Sequence, residues 1–162
     1  MSVTVWRIAT DTQAYEADDL SGAGAKISGG RWNAAGDAVV YTSETQALAC
    51  LETVVHLNAG GLPLNRYLVA VTIPLNIWAA ARTETPGSLP VGWDAEPAGR
   101  ASIQFGAAWL RSGTSTVLRI PSVIVPDEFN VLINPGHADS NRIVATKIRK
   151  WLYDPRLRRL PV

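Results

Sequence analysis

GGRWNAAGDAVVYTSETQALACLE, residues 29–52, runs from a glycine loop through a short strand into a helix, and its reading decides the fold. The loop begins earlier: five glycines between Gly22 and Gly36 predict a segment with no regular element, able to let its backbone approach a ligand closely. Ala38–Thr42 reads as a strand. Ser43, with Gln46 three positions on, forms a capping box that opens a helix expected to run to about Asn58. Ala47, Leu48, Leu51, Val54 and Val55 make one apolar stripe on that helix. Glu52 falls on the border of the stripe, where a carboxylate sits half-buried.

Outward from this stretch, Val3–Ile8 alternates as an opening strand, and Tyr67–Ile73 reads as another, stopped by Pro74. Gly60, Gly61 and Pro63 separate that strand from the helix. Residues 82–100, rich in Pro, Gly, Thr and Ala, predict an irregular surface excursion within the domain. Ala101–Leu110 is helical with Ile103, Ala107 and Leu110 on one side; Thr116–Val125 is a strand interrupted by Pro121; Phe129–Ile133 is a strand. In the last segment Ile143, Val144, Lys147, Ile148, Trp151 and Leu152 keep helical spacing, yet Val144, Thr146 and Ile148 also suit a strand, so periodicity leaves both open.

The 162 residues, 47% hydrophobic and 18% charged, suit one domain with one core, taken as residues 1–162. A net charge of +1 gives no reason to expect general nucleic-acid binding. The lone Cys50 makes neither an internal disulfide nor a multi-cysteine metal site, and the N-terminal residues lack a signal-peptide pattern, so a reducing, cytoplasmic setting is expected. No apolar run approaches the ~20 residues that span a bilayer.

The chemistry lies in three side chains delivered by a loop, a strand and a helix adjacent in sequence. The planar fork of Arg31 takes a phosphate or carboxylate through paired hydrogen bonds, and Gly29 and Gly30 let a pyrophosphate come near the main chain. The ring of Tyr41 offers a face for a cationic nicotinamide, with a cation–π gain of roughly 0.5–2 kcal/mol. Glu52, ionised beside a ribose, would stabilise the positive charge that develops as a nicotinamide–ribose bond breaks. Singly, each has an ordinary reading: a solvated loop arginine, a core tyrosine, a solvated helical glutamate. Only the combination is specific. His56 lies four residues after Glu52, but no third ligand has suitable spacing, and no metal is expected. SGAGAKISGG matches neither the Walker nor the Rossmann spacing. His137 reads as a turn brace, and the basic tail KIRKWLYDPRLRR as a solvated strand edge.

GGRWNAAGDAVVYTSETQALACLE, RIPSVIVPDEFNVLINPGH and DPRLRR together resemble the RES-domain family, toxins of bacterial RES–Xre toxin–antitoxin pairs, over nearly the whole chain. The resemblance implies an α+β, ADP-ribosyltransferase-like fold with a mixed or antiparallel β core flanked by helices, and it tips the C-terminal segment toward a strand. It implies NAD+ as substrate and no permanently bound cofactor. Arg31, Glu52 and Ser122 carry the arginine, glutamate and serine for which the family is named. Arg31 would grip the dinucleotide, with Gly30, Tyr41 and Asn134 also at its binding site, and Ser122 would hydrogen-bond the ligand or Glu52. The usual NP-x-H-P pattern departs here to Asn134, Pro135, Gly136, His137 and Ala138. The implied partner is an Xre-type helix-turn-helix antitoxin, with a homodimer inside the complex and DNA contact only through the antitoxin. Three activities follow: NAD+ degradation with water or phosphate as acceptor, ADP-ribosyl transfer to a protein, or a binding module without catalysis.

Overall fold

The computed structural model describes residues 1–57 and 61–157. The helix expected to run to about Asn58 ends at Val54, and Gly60 and the tail residues Arg158 and Arg159 lie outside the described range. The strands are β1 (Ser2–Thr10), β2 (Val40–Ser43), β3 (Arg66–Pro74), β4 (Arg82–Thr83), β5 (Val117–Pro121), β6 (Phe129–Ile133) and β7 (Val144–Trp151). The helices are α1 (Ala23–Ser28), α2 (Gln46–Val54), α3 (Leu75–Ala79) and α4 (Arg100–Ser112). One seven-stranded sheet runs in the order β4-β5-β6-β2-β1-β3-β7, antiparallel throughout except where β4 meets β5. This is the α+β architecture expected, and the C-terminal segment is a strand.

Alternation along the strands gives the sheet two apolar faces. Val5, Val40, Val69, Val71, Val117, Val131 and Ile133 look to one side, where α3 packs through Ile77 and Trp78. Val39, Leu118, Ile120 and Leu132 look to the other, under Trp32, Trp93 and Trp109. On this second face α2 sits over β1 and β2, with Ala49 and Cys50 in one apolar cluster with Ile8 and Leu68. Tyr41 and Ser43 of β2 belong to the same side, since alternate residues share a face.

Several local expectations need correction. The glycine-rich segment does hold a helix, α1. Its interior is alanine, lysine and isoleucine with only Gly24 inside, and the left-handed Gly22 (φ 75°) and Gly29 (φ 70°) bracket it. The cap of α2 is Thr45, whose side chain accepts from the Leu48 N–H at 3.0 Å, and not Ser43, which still belongs to β2. The inward face of α2 is Leu48, Ala49 and Cys50, with Ala47 and Val55 exposed, because the small Ala49 and Cys50 are what let the helix approach the sheet. On α4 the buried residues are Ser102, Gly106 and Trp109 rather than Ile103, Ala107 and Leu110, which are only partly buried. β5 stops at Pro121, where the missing N–H ends the ladder, and residues 122–128 turn back into β6.

Candidate functional site

Cross-strand register aligns two rows of side chains on the α2 and α4 side of the sheet. Ile120, Asn130, Ser43 and Trp6 form one row across β5, β6, β2 and β1; Leu118, Leu132 and Tyr41 form the next. The rows are two residues apart along each strand, ~7 Å.

Glu52 reaches the first row from α2. Its Oε1 accepts from the Ser122 hydroxyl at 2.7 Å and from the Asn130 side-chain amide at 2.6 Å. Ser122 is fully buried, and its Oγ also accepts from the N–H groups of Ile124 and Val125 at 3.1 and 3.2 Å. The turn after β5 therefore fixes the serine, and the serine fixes the glutamate. Asn130 is held in turn by the Ser43 hydroxyl, which donates to its Oδ1 at 2.7 Å.

Tyr41, in the second row, governs the loop that carries Arg31. Its hydroxyl donates to Asn33 Oδ1 at 2.7 Å and accepts from the Trp32 N–H at 3.0 Å. Burial pushes this phenol far above its ordinary range, against the opposing pull of the Trp32 N–H and the Arg31 charge, so it remains a protonated donor. Asn33, almost wholly buried, donates through Nδ2 to the carbonyls of Ala25, Ala34 and Asp37, tying α1 to the loop. Gly30 belongs to the same contact: a Cβ there would lie 2.8 Å from the Tyr41 hydroxyl. Replacing Tyr41 by Phe keeps the ring but leaves Asn33 Oδ1 and the Trp32 N–H without their partner. The variant is expected to lose about 1–3 kcal/mol of stability in urea unfolding. An unchanged midpoint would contradict this anchoring.

The Arg31 guanidinium donates to the carbonyls of Trp93 and Ala95 at 3.1 and 2.7 Å and pairs with Glu96 at 2.8 Å. Glu96 is 77% exposed, so its hold is of the weak, solvent-screened kind. Trp32, next in the chain, stacks on Trp93 with centroids 6.3 Å apart and meets Phe105 edge-on at 5.8 Å.

The structure thus brings Arg31, Gly30, Tyr41, Glu52 and Ser122 to one side of the sheet. Asn134 is engaged elsewhere: its Nδ2 donates to the Leu110 carbonyl and its Oδ1 accepts from the Gly136 N–H, bracing the turn after β6. His137 caps the short 3₁₀ helix Ala138–Arg142 through Nδ1. His56 is exposed on the last turn beyond α2. Sequence reasoning missed Asn33, Ser43, Asn130 and Gly106. For Asn130 a signal existed: it is the single polar residue in the apolar strand FNVLI, and a polar group in such a strand needs a partner. Ser43 answers to a partner 87 positions away and Gly106 to the backbone of Trp32, while the partners of Asn33 lie within eight positions of it.

Comparison with known proteins matches residues 4–155 to the family described as the RES domain. A protein of Sphingobium sp. (strain YBL2) named "Prs ADP-ribosylating toxin" is 64% identical over 157 residues, 97% of this chain and 98% of that one. "Toxin Res" of Yersinia enterocolitica serotype O:8 is 34% identical over 89% of this chain and 93% of its own. "Toxin Res" of Photorhabdus laumondii is 35% identical over 82% of this chain and 83% of its own.

Proposed function

The chain belongs to the RES-domain family, and from that premise we propose that it is a toxin that cleaves the nicotinamide–ribose bond of NAD+ and transfers the ADP-ribosyl group to a protein. The observation that carries the reading is the Glu52 carboxylate, held through one oxygen by Ser122 and Asn130, in the row beside Tyr41 on the face that also holds the Arg31 loop.

In the step proposed, the bond between the nicotinamide ring nitrogen and ribose C1′ breaks, and its electron pair leaves with nicotinamide, which becomes neutral. Positive charge then spreads over C1′ and the ring oxygen, and the Glu52 carboxylate stabilises it. Arg31 holds the pyrophosphate, and the Tyr41 ring packs against the nicotinamide. A nucleophilic side chain of the acceptor protein attacks C1′ and releases its proton to solvent. Such a dissociative path asks the enzyme for charge stabilisation and leaving-group placement more than for a strong nucleophile of its own.

Between transfer and hydrolysis, the name of the 64%-identical relative supports transfer, since it describes an ADP-ribosylating toxin. The Xre-type antitoxin and the homodimer implied by the resemblance belong to the same proposal, and pull-down with the product of an adjacent helix-turn-helix reading frame addresses them. The test of the activity itself is incubation of purified protein with adenine-labelled NAD+ and a dialysed bacterial extract. Label is expected on a macromolecule, as a single ADP-ribosyl adduct by mass spectrometry. Label found only as free ADP-ribose or its phosphate would favour degradation and overturn the transfer reading.

A further inference from the structure

Glu52 receives two hydrogen bonds, and both arrive at the same oxygen. Ser122 and Asn130 donate to Oε1, while among the described residues Oε2 has no hydrogen-bond partner. A carboxylate rotates about its last bond with little hindrance unless its oxygens are made unequal. Here two donors from opposite ends of the 122–130 hairpin make them so, leaving Oε2 as the one to meet a ligand.

The amide of Asn130 could face Glu52 with either end. A carboxylate only accepts, so Nδ2 must point to Glu52 and Oδ1 away from it. What receives Oδ1 is the Ser43 hydroxyl, itself almost wholly buried. Ser43 and Asn130 are directly opposite on β2 and β6, so the backbone register places the pair. The chain is directional: the Ser43 O–H donates to Asn130, and Asn130 donates to Glu52.

Resting on the NAD+-cleaving reading above, we infer that Asn130, oriented by Ser43, is a positioning residue that turns the Glu52 carboxylate so that Oε2 faces the ribose. Neither residue touches substrate in this arrangement. Both act on the rate of bond cleavage through Glu52 and leave dinucleotide binding, the task of the Arg31 loop and Tyr41, in place.

The test measures nicotinamide release, with a dialysed bacterial extract supplying the acceptor, and NAD+ affinity for wild type, Asn130→Ala, Ser43→Ala and the double variant, with melting temperatures alongside. Losing one hydrogen bond to a charged group predicts a fall in kcat of about 10–100-fold for Asn130→Ala, with KM within about threefold of wild type. Ser43→Ala is expected to fall less, by about 3–10-fold, since Ser122 and Asn130 both remain. Because the two act in series, the double variant should be no slower than Asn130→Ala alone. Should Asn130→Ala fail to fold, Ser43→Ala carries the test through its split of kcat from KM. Full turnover by either folded variant, equal losses in kcat and affinity, or multiplied losses in the double variant would overturn the inference. Absence of nicotinamide release by the wild-type protein would instead overturn the NAD+-cleaving reading on which it rests.

Discussion

Exchanging Glu52 for Gln is expected to reduce nicotinamide release by about 10²–10³-fold while leaving the protein folded. The reasoning separates the two tasks of this side chain. Structurally, Glu52 is an acceptor for Ser122 and Asn130 at 2.7 and 2.6 Å. Gln presents a carbonyl oxygen of the same reach, so both donors keep a partner and no buried group is orphaned. Chemically, the charge is gone, and a neutral amide offers little to an oxocarbenium-like transition state. Removing one preorganised electrostatic contact of this kind typically costs two to three orders of magnitude in rate. Steady-state release of nicotinamide with a parallel melting curve reads both tasks at once. A folded Glu52→Gln protein with wild-type turnover would reduce Glu52 to a strut between α2 and the 122–130 hairpin.

The second large effect comes from a residue far from the chemistry. Gly106 lies inside α4, and by intrinsic propensity its replacement with Ala should stabilise the helix by about 1 kcal/mol. Packing opposes this. A Cβ at position 106 would stand 1.8 Å from the Trp32 carbonyl oxygen and 2.7 Å from its carbonyl carbon. The obstacle is backbone and cannot rotate away, so either α4 lifts off the sheet or the loop holding Arg31 moves. Overpacking usually costs about 1–3 kcal/mol, and overlap with main chain belongs at the upper end of that range, so the loss exceeds the helical gain. Gly106→Ala should therefore unfold at lower urea. A loop displaced by ~1 Å also misplaces the Arg31 anchor, with an expected loss of about 10²-fold in kcat/KM. A variant as stable as wild type would show that α4 does not bear on Trp32 this closely.

These two cases mark what the sequence makes legible. Strand alternation and the order loop, strand, helix place Arg31, Tyr41 and Glu52 on successive elements, and the β2–β6 and β5–β6 registers bring Tyr41 and the Glu52 contacts into adjacent rows. Gly106 reads in sequence only as a weak point in a helix, since nothing local reveals that the Trp32 backbone, 74 positions away, occupies the space of its missing side chain. Asn33 differs, since the partners that its amide joins in α1, the Arg31 loop and Tyr41 all lie within eight positions in sequence. Asn134 shows the opposite case: the motif implies a ligand contact, while its side chain spends both ends on the backbone of residues 110 and 136. The α2 stripe was misplaced for a simple reason. Hydrophobicity weights Val55 above Ala49, but proximity to Ile8 and Leu68 selects the smaller side chain.

If one side of this sheet holds a site for cleaving a pyridinium nucleotide, purified protein given NAD+ and a dialysed bacterial extract as the source of acceptor releases free nicotinamide. Nicotinamide should accumulate with the wild-type chain and hardly at all with Glu52→Gln. No release by a folded wild-type protein under those conditions would rule out NAD+ cleavage at this site.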